Sequence, residues 1–448
     1  MIEPELDLHW TLGDIARSLG GVLVGDPSVS ITAVTTDSRS VPTDALFIAI
    51  SGERFNGHDF AASAIAEGAA AVVVESGQCR DLTPRIEVEG TIEALRALAV
   101  ERRTELTMPV VGITGSTGKT TTKDLVAAGI TGAWASPRSY NNEIGVPLTV
   151  LSTPADAAAL IVEVGSRGAG DIRWLASAIR PDVAVITNLG VVHLETFGSE
   201  SGLADAKFEL IEALSLSGTA VIPSDEPRLH RSIEQRTITF GTSPADVVVS
   251  RSGVNRDGAA IYELLVAADT YSGTLAMAGS RQAFNVAAAV GVAMALGSSI
   301  ESFLAGIQTV SGSPWRMDVH PGLYTVVNDA YNANPQSVAA ALHTVAAMPG
   351  RSIAALGPMA ELGGVCESQH RAMGALAASL GFAKVVVVGP DHGYALGAPR
   401  LVTHATDIHA ARDTLTDILE PGDVVLVKAS RSAGLERLAL AIIKEATP

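Results

Sequence analysis

The stretch VVGITGSTGKTTTKDLV, residues 110–126, joins a strand-like apolar run to a glycine-rich loop and the start of a helix. Glycines free the backbone so that N–H groups can point at a phosphate, and a helix N-terminus adds unpaired amides and a positive dipole end. Lys119 can reach the β- and γ-phosphates, and the Thr120 hydroxyl can bind Mg²⁺. The pattern therefore predicts a strand–loop–helix unit that binds a nucleoside triphosphate.

The spacing of this loop differs from the standard motif G-x-x-x-x-G-K. Five residues separate Gly112 from the Gly118–Lys119 pair, and two separate Gly115 from it. The alternative interpretation is a glycine-rich turn that contains a surface lysine. The strand before the loop and the helix after it favour the nucleotide site.

The composition indicates a globular chain with several domains. Its 448 residues exceed one ordinary domain, with 47% hydrophobic and 18% charged residues. The net charge of −17 argues against nucleic-acid or anionic-membrane binding, and the two distant cysteines fit a reducing compartment. The N-terminus lacks the apolar core of a secretory signal, and no apolar run is long enough for a membrane span. We therefore expect a cytoplasmic protein without stable membrane association.

Short β-rich runs alternate with Ala- and Leu-rich helical stretches, which predicts an α/β protein with largely parallel sheets. A helix over 91–106 leads into the strand before the loop, and SGSPWRMD (311–318) has the composition of a linker. These signals predict three domains, 1–105, 106–312 and 313–448. Strands are predicted at 45–50, 69–75, 109–114, 159–164, 182–188, 219–223, 324–329, 352–357, 384–389 and 423–430.

Three further side chains are candidates for the chemistry of a Mg·ATP site. Glu163 is near the carboxyl end of a predicted strand, where α/β sheets hold their ligands, and a buried carboxylate is costly unless it is paired or metal-bound. His193 follows the strand 182–188 and is compatible with a second metal, although such a histidine is more often structural. Lys207, taken alone, has the pattern of an ordinary helix-surface lysine.

Together these features resemble the Mur ligases, the ATP-dependent amide-forming enzymes of peptidoglycan precursor synthesis. The segments that carry the resemblance are GITGSTGKTTTK (112–123), SYNNEIGVPLTVL (139–151), EVGSRGAGDI (163–172), TNLGVVHLETFGS (187–199) and ADAKFELIEAL (204–214). The loop of that family has the same TGSTGKT form, so its unusual spacing matches the family. The resemblance covers essentially the whole chain. It implies an N-terminal UDP-binding α/β domain, a central P-loop ATPase-like domain with a parallel sheet, and a C-terminal Rossmann-like domain.

Two late segments are similar to the members of the family that add a dipeptide, NDAYNANPQSVAAAL (328–342) and LGPMAELG (356–363). The resemblance implies that ATP phosphorylates the terminal carboxylate of a UDP-N-acetylmuramoyl tripeptide. The amine of D-alanyl-D-alanine then attacks the acyl phosphate. A monomer that closes on ATP and substrate is expected, because Arg316 and the segment 428–431 must reach a site in another domain.

The resemblance also implies roles for individual residues. The phosphate loop comprises Gly115, Ser116, Thr117, Gly118, Lys119, Thr120 and Thr121. Other nucleotide contacts are implied for Asn142 near the γ-phosphate, Asn285 at adenine, Arg316 at the phosphates, and Asp329 and Tyr331 at ribose and adenine. Two Mg²⁺ ions are implied, one held by Thr120 and Glu163 and one by His193 and a carbamylated Lys207. Catalytic roles fall to Lys119, His193 and Lys207, and substrate contacts to Ser38, Arg39, Lys428, Ser430 and Arg431.

The chain departs from the family pattern at a few positions. Arg281 stands where histidine is usual, Pro358 where aspartate is usual, and Ala429 where glycine is usual. None of them is a predicted triphosphate or metal position, so the departures bear on the acceptor and the C-terminal domain. Two alternatives stay open: a paralogue with the same chemistry on another amine or nucleotide-linked acid, and a non-catalytic nucleotide-binding protein.

Overall fold

A computed structural model of the chain describes residues 10–52, 55–190 and 197–447. Its three large sheets lie within 22–88, 110–278 and 318–428, so each falls inside one predicted domain. The α/β class with largely parallel sheets is confirmed. The domain boundaries at 105 and 312 stay predictions.

The N-terminal sheet has five strands, and all neighbours are parallel except the pair formed by Val22–Val24 and Arg85–Val88. A two-stranded antiparallel sheet, Trp10–Thr11 with Ser30–Ile31, lies beside it. The five strands in spatial order are Val22–Val24, Arg85–Val88, Ala69–Glu75, Ala45–Ile48 and Ala33–Thr35. The helices are Leu12–Leu19, Ala61–Ala66 and Thr91–Glu105, with a 3₁₀ turn at Gly57–Phe60.

The central sheet has nine strands, of which the last two in sequence extend a parallel sheet as an antiparallel meander. In spatial order the strands are Asp269–Ala278, Ala259–Val266, Val247–Val254, Arg236–Gly241, Thr219–Pro223, Val183–Ile186, Val110–Thr114, Ala159–Glu163 and Ala133–Ala135. The helices are Lys119–Gly129, Gly145–Leu151, Asp171–Ile179, Glu200–Glu212, Gln282–Ala295 and Ile300–Ile307, with a 3₁₀ turn at Pro227–Leu229. Val110–Thr114 lies between Val183–Ile186 and Ala159–Glu163, parallel to both. The carboxyl ends of these three strands therefore meet at one edge, where open α/β sheets bind their ligands.

The C-terminal sheet has six strands, and Asp318–His320 pairs antiparallel at its edge. In spatial order the strands are Asp318–His320, Thr325–Asn328, Val424–Lys428, Ser352–Leu356, Lys384–Val388 and Val402–Ala405. The helices are Pro335–Ala346, Cys366–Ser379, Tyr394–Gly397, Ile408–Ile418 and Glu436–Ala446, with 3₁₀ turns at Gly363–Val365 and Arg431–Ala433.

The helix Thr91–Glu105 joins the N-terminal sheet to the central domain. Its buried Leu95 and Leu98 belong to a hydrophobic core that continues into the helices Gly145–Leu151 and Asp171–Ile179. Arg103 adds a hydrogen bond from its Nε to the Ile179 carbonyl at 2.7 Å. None of the helices in the described ranges has the length and apolarity that a bilayer crossing requires.

Candidate active site

The phosphate loop requires glycine at two positions. Gly115 and Gly118 have φ of 144° and 81°, a region that side chains disfavour. A Cβ at Gly115 would collide with the Thr187 hydroxyl, and one at Gly118 would collide with the side-chain carbonyl of Asn285. Gly118 directly precedes the helix Lys119–Gly129, whose first amides have no acceptor within the helix. The first-turn amides of this helix therefore lie beside the carboxyl edge of the sheet, where a phosphate could accept from them.

A second segment, residues 187–190, holds the loop in this conformation. The amide N–H of Thr117 donates to Asn188 Oδ1 at 2.9 Å, and Asn188 Nδ2 donates to Thr117 Oγ1 at 2.6 Å. The N–H of Gly190 donates to Ser116 Oγ at 2.8 Å. Residues 191–196 follow directly, so the predicted metal ligand His193 lies outside the described residues.

The Lys119 side chain folds back over the phosphate loop. Its Nζ donates to the Gly115 carbonyl at 2.7 Å. Burial lowers the pKa of Lys119, the nearby Glu163 carboxylate raises it, and the positive charge of Arg316 lowers it. The amine is thus held at the loop among other charged groups, where an anionic phosphate would be a favourable partner.

Glu163 and Thr120 come together at the end of the strand Ala159–Glu163. Glu163 is only 1% exposed; its Oε2 accepts from Thr120 Oγ1 at 2.8 Å and its Oε1 from Asn141 Nδ2 at 2.7 Å. Ser139 Oγ lies 3.4 Å from Thr120 Oγ1. Carboxylate and hydroxyl oxygens are the hard donors that Mg²⁺ prefers. Within the described ranges, no three His, Cys, Asp or Glu side chains form a group that could hold a metal.

Lys207 is buried, unlike the surface lysine that its helical pattern alone indicates. It lies in the helix Glu200–Glu212, is 3% exposed, and donates from Nζ to Ser166 Oγ at 2.7 Å. Burial, reinforced by the positive charge of Lys119, lowers the pKa of Lys207 to about 7. A substantial fraction of this amine is therefore uncharged at neutral pH.

The C-terminal domain forms a second wall of the candidate site. The Arg316 guanidinium lies 3.9 Å from the centre of the Tyr331 ring, and its Nη2 is 3.5 Å from Ser139 Oγ of the central domain. Asp329 forms an ion pair with Lys428, which is 2% exposed, and accepts from the N–H of Met317 at 3.0 Å. Arg316 therefore lies at the junction between the two domains.

One cavity of about 1140 Å³ collects most of the predicted residues, and its wall includes side chains from all three predicted domains. The predicted residues that line it are Gly115, Ser116, Thr117, Gly118, Lys119, Thr120, Thr121, Asn142, Glu163, Lys207, Asn285, Arg316, Asp329, Tyr331 and Lys428. Arg281, one of the departures from the family pattern, also lines the cavity.

Four predicted substrate contacts lie off this wall. Arg39 forms a two-point ion pair with Asp37, at 2.8 and 2.6 Å, and its side chain is 87% exposed. Ser430 Oγ accepts from the N–H of Ala360 at 2.8 Å. Neither these two nor Ser38 and Arg431 line the cavity, so their roles stay predictions.

The sequence interpretation missed several residues of the site. It selected Asn142, whose Oδ1 accepts from the N–H of Gly145 at 2.9 Å, whereas Asn141 contacts Glu163. It also missed Asn188 and Ser166, which hold Thr117 and Lys207. Both follow buried strands within two or three residues, and that position was the available signal.

Family models match most of the chain. The model described as "Mur ligase middle domain" matches residues 113–293, "Mur ligase, glutamate ligase domain" matches 315–431, and "Mur ligase family, catalytic domain" matches 30–111. UDP-N-acetylmuramoyl-tripeptide–D-alanyl-D-alanine ligase from Escherichia coli (strain K12) is 32% identical over 98% of this chain and 99% of its own length.

Solved structures agree with the sequence matches. UDP-N-acetylmuramoylalanyl-D-glutamyl-2,6-diaminopimelate–D-alanyl-D-alanyl ligase from Acinetobacter baumannii has a TM-score of 0.86 at 26% identity, over 97% of this chain and 98% of that one. MurF ligase from Thermotoga maritima, solved with ADP, has a TM-score of 0.84 at 28% identity, over 92% of this chain and 97% of that one. This chain therefore belongs to the Mur ligase family.

Proposed function

We propose that this protein is an ATP-dependent ligase that adds D-alanyl-D-alanine to a UDP-N-acetylmuramoyl tripeptide, which yields the pentapeptide precursor of peptidoglycan. The observation that carries the proposal is one cavity, lined by all three predicted domains, that combines the phosphate loop, the Thr120–Glu163 pair and Lys207. The full-length relative from Escherichia coli bears the name of this reaction. We further propose that the enzyme acts as a monomer in the cytoplasm.

The phosphate loop and its helix suit the triphosphate of ATP. Unpaired amides at the start of the helix Lys119–Gly129 and the Lys119 amine supply positive charge to the phosphates. Arg316 supplies a further cation from the C-terminal side, and Tyr331 and Asp329 line the same wall. Asn285, which faces Gly118, would contact the base or the sugar of the nucleotide.

The donor set fits a magnesium ion, because Thr120 and Glu163 bring a hydroxyl and a buried carboxylate to within 2.8 Å of each other. These two residues would hold the ion beside the β- and γ-phosphates, where it would neutralise their charge. A second ion would need the predicted His193 and a carbamylated Lys207. An amine with a pKa of about 7 supports carbamylation, since only the uncharged form reacts with CO₂.

The reaction requires two anions to approach each other. The terminal carboxylate of the tripeptide attacks the γ-phosphorus of ATP, so an acyl phosphate forms as ADP leaves. Lys119 and Arg316 stabilise the negative charge of that step. The uncharged amine of D-alanyl-D-alanine then attacks the acyl carbon, a tetrahedral intermediate forms, and inorganic phosphate leaves with the carbon–oxygen bond electrons. The amine proton is released and an amide results.

The test is release of ADP and phosphate by the purified protein with Mg·ATP and UDP-N-acetylmuramoyl tripeptide, with and without D-alanyl-D-alanine. We expect release that requires both co-substrates, together with a UDP-N-acetylmuramoyl pentapeptide identified by its mass. Turnover with a different amine or nucleotide-linked acid, and none with this pair, would identify a paralogue. ATP binding without turnover of any acceptor would identify a non-catalytic nucleotide-binding protein.

A further inference from the structure

Arg167 lies in the cavity wall with an unpartnered charge. It follows the strand Ala159–Glu163 in the loop that leads to the helix Asp171–Ile179. Arg167 is an exposed residue, and its guanidinium makes no hydrogen bond or ion pair in the part of the chain that the structure describes. A cation that lines a cavity without a partner is available to an anionic ligand.

The two acidic side chains nearest this loop, Asp171 and Glu209, accept hydrogen bonds from its backbone. Asp171 accepts from the backbone N–H groups of Arg167 and Gly168, both at 2.8 Å. Glu209 accepts from the N–H groups of Gly170 and Arg173 at 2.7 and 2.9 Å. These carboxylates stabilise the start of the helix Asp171–Ile179, and neither forms an ion pair with the Arg167 guanidinium in the described residues.

The position of Arg167 along the cavity identifies the part of the substrate that it meets. Its neighbour Ser166 accepts a hydrogen bond from Lys207, which belongs to the reacting end of the site. On the other side, Trp174 donates to Glu93 of the N-terminal domain at 2.9 Å, and both line the cavity. Under the proposed function, the peptide of the acid substrate runs from the N-terminal domain to the γ-phosphate. Arg167 therefore lies next to the last residue of that peptide.

We propose that Arg167 binds the side-chain carboxylate of a 2,6-diaminopimelate as third residue of the tripeptide, and so selects it over lysine. The inference rests on the proposed function and names its substrate class. Diaminopimelate differs from lysine by one carboxylate at the end of its side chain, and a guanidinium binds a carboxylate through two parallel hydrogen bonds. The D-glutamyl carboxylate is also free, but it is one residue further from the reacting end. The related Acinetobacter baumannii ligase is named for a diaminopimelate peptide.

The test compares three UDP-N-acetylmuramoyl tripeptides as substrates: one with diaminopimelate, one with its side-chain carboxyl amidated, and one with lysine. For the wild-type protein we expect kcat/KM to be roughly 10- to 100-fold higher with the diaminopimelate tripeptide than with the other two. One charge-assisted hydrogen-bonded pair supplies a difference of this size. Arg167→Gln should remove that advantage and leave the other two substrates within about twofold. Arg256→Gln, an exposed arginine in a turn of the central meander, is the matched control and should retain the preference.

Equal losses on all three tripeptides would overturn the proposal, because they would assign Arg167 to the D-glutamyl carboxylate or to the peptide in general. Unchanged kinetics of Arg167→Gln, or a wild-type protein without the preference, would overturn it as well. If the wild-type protein converts none of the three, the proposed function fails. Calorimetric binding of the same tripeptides then decides the role of Arg167 separately: a preference for diaminopimelate that Arg167→Gln abolishes supports it, and no such preference overturns it.

Discussion

Glu163 has a buried carboxylate whose negative charge is not compensated by its neutral hydrogen-bond donors alone. Its side-chain hydrogen bonds come from Thr120 and Asn141, both uncharged, while it is 1% exposed at the end of an apolar strand. A buried carboxylate in such surroundings is costly unless a cation compensates its charge. Lys119 contributes, since Glu163 acts on its pKa, and a bound metal ion would complete the compensation.

Glu163→Gln tests this reading because it keeps the shape of the side chain and removes its charge. We expect kcat/KM for ATP to fall roughly 100-fold, with a higher Mg²⁺ concentration needed for half-maximal rate, because the ion loses its charged ligand. Steady-state kinetics over a Mg²⁺ titration measures both effects. Glu234→Gln, an exposed carboxylate, is the control. An unchanged Mg²⁺ dependence would rule out Glu163 as a ligand.

Lys207 gives a prediction for pH dependence. Its pKa is about 7 in the folded protein and near 10.5 in the unfolded chain, so between these values only the unfolded chain binds the proton. Stability therefore rises with pH across that window, and the cost of burying the charged amine is present in full below about pH 7. Lys207→Met removes the cost, so its advantage over the wild-type protein should shrink from pH 6 to pH 9.

Urea unfolding at three pH values across that window, in buffers depleted of CO₂ to prevent carbamylation, measures the difference between the two proteins. Lys444→Met, an exposed lysine in the last helix, controls for the general effect of the substitution. A difference between Lys207→Met and the wild-type protein that does not change with pH would contradict a depressed pKa.

At the scale of elements, the helix Lys119–Gly129 does more than present its first turn to a phosphate. Its Lys123 is 3% exposed, and Nζ donates to the carbonyls of Ser136 and Arg138 at 2.7 and 2.8 Å. These carbonyls begin the segment that carries Ser139 and Asn141 to Thr120 and Glu163. The helix thus supports both sides of the expected metal site.

Lys123→Met should leave the two carbonyls without their donor. We expect a loss of about 1–3 kcal/mol in the free energy of unfolding, together with weaker Mg·ATP binding, because the segment that carries Asn141 loses its anchor. Thermal unfolding and calorimetric titration measure the two quantities, with Lys444→Met as the matched control. Loss of stability with unchanged nucleotide binding would show that Lys123 supports the fold alone.

The elements that the sequence predicts well are the buried parallel strands. Ala69–Glu75 and Thr219–Pro223 have the predicted bounds, because strands buried on both faces read as continuous apolar runs. Ala133–Ala135 and Arg236–Gly241 were not predicted, since one is three residues long and the other mixes polar with apolar residues. The buried position of Lys123 was not predicted, because a lysine in a helical pattern indicates a surface residue and its carbonyl partners lie in a different segment.

Contacts between segments that are far apart in the sequence account for the other features that the sequence did not predict. Lys428 was predicted on the acceptor side, and its ion pair with Asp329 joins residues 99 positions apart, which no local pattern reveals. Asn141 and Asn142 are adjacent in a loop, and only the folded backbone decides which of them faces Glu163. The phosphate loop was predictable because its chemistry is contained in one short segment.

Over the whole molecule, the net charge is more negative than that of the cavity wall. The chain has a net charge of −17, whereas the described cavity wall carries six basic and six acidic side chains. Lys428 pairs with Asp329, and Lys207 is partly uncharged at neutral pH, so Lys119 and Arg316 are the cations near the phosphate loop that remain for an anionic substrate. ATP and a nucleotide-linked acid are both anionic, so we expect the placement of these two cations, rather than the net charge, to govern binding at this site.

Arg316 links this charge to the arrangement of the domains. It lies on the C-terminal side, stacks on Tyr331, and is 3.5 Å from Ser139 across the junction. A ligand shifts a conformational equilibrium only through contacts that differ between the two states, and a phosphate held by both Lys119 and Arg316 would provide such a contact. Arg316→Gln should therefore weaken Mg·ATP binding about tenfold, the effect of one charge-assisted hydrogen bond.

We expect nucleotide to compact the wild-type protein, and the same substitution should reduce that compaction. Small-angle X-ray scattering with and without a non-hydrolysable ATP analogue measures the radius of gyration, and calorimetry measures the affinity. Arg256→Gln is exposed in the central meander and should behave as the wild-type protein in both measurements. Full compaction in Arg316→Gln, at whatever affinity, would show that the C-terminal domain closes through other contacts. Asp329 and Tyr331, which line the cavity and are predicted nucleotide contacts, would be the next to test.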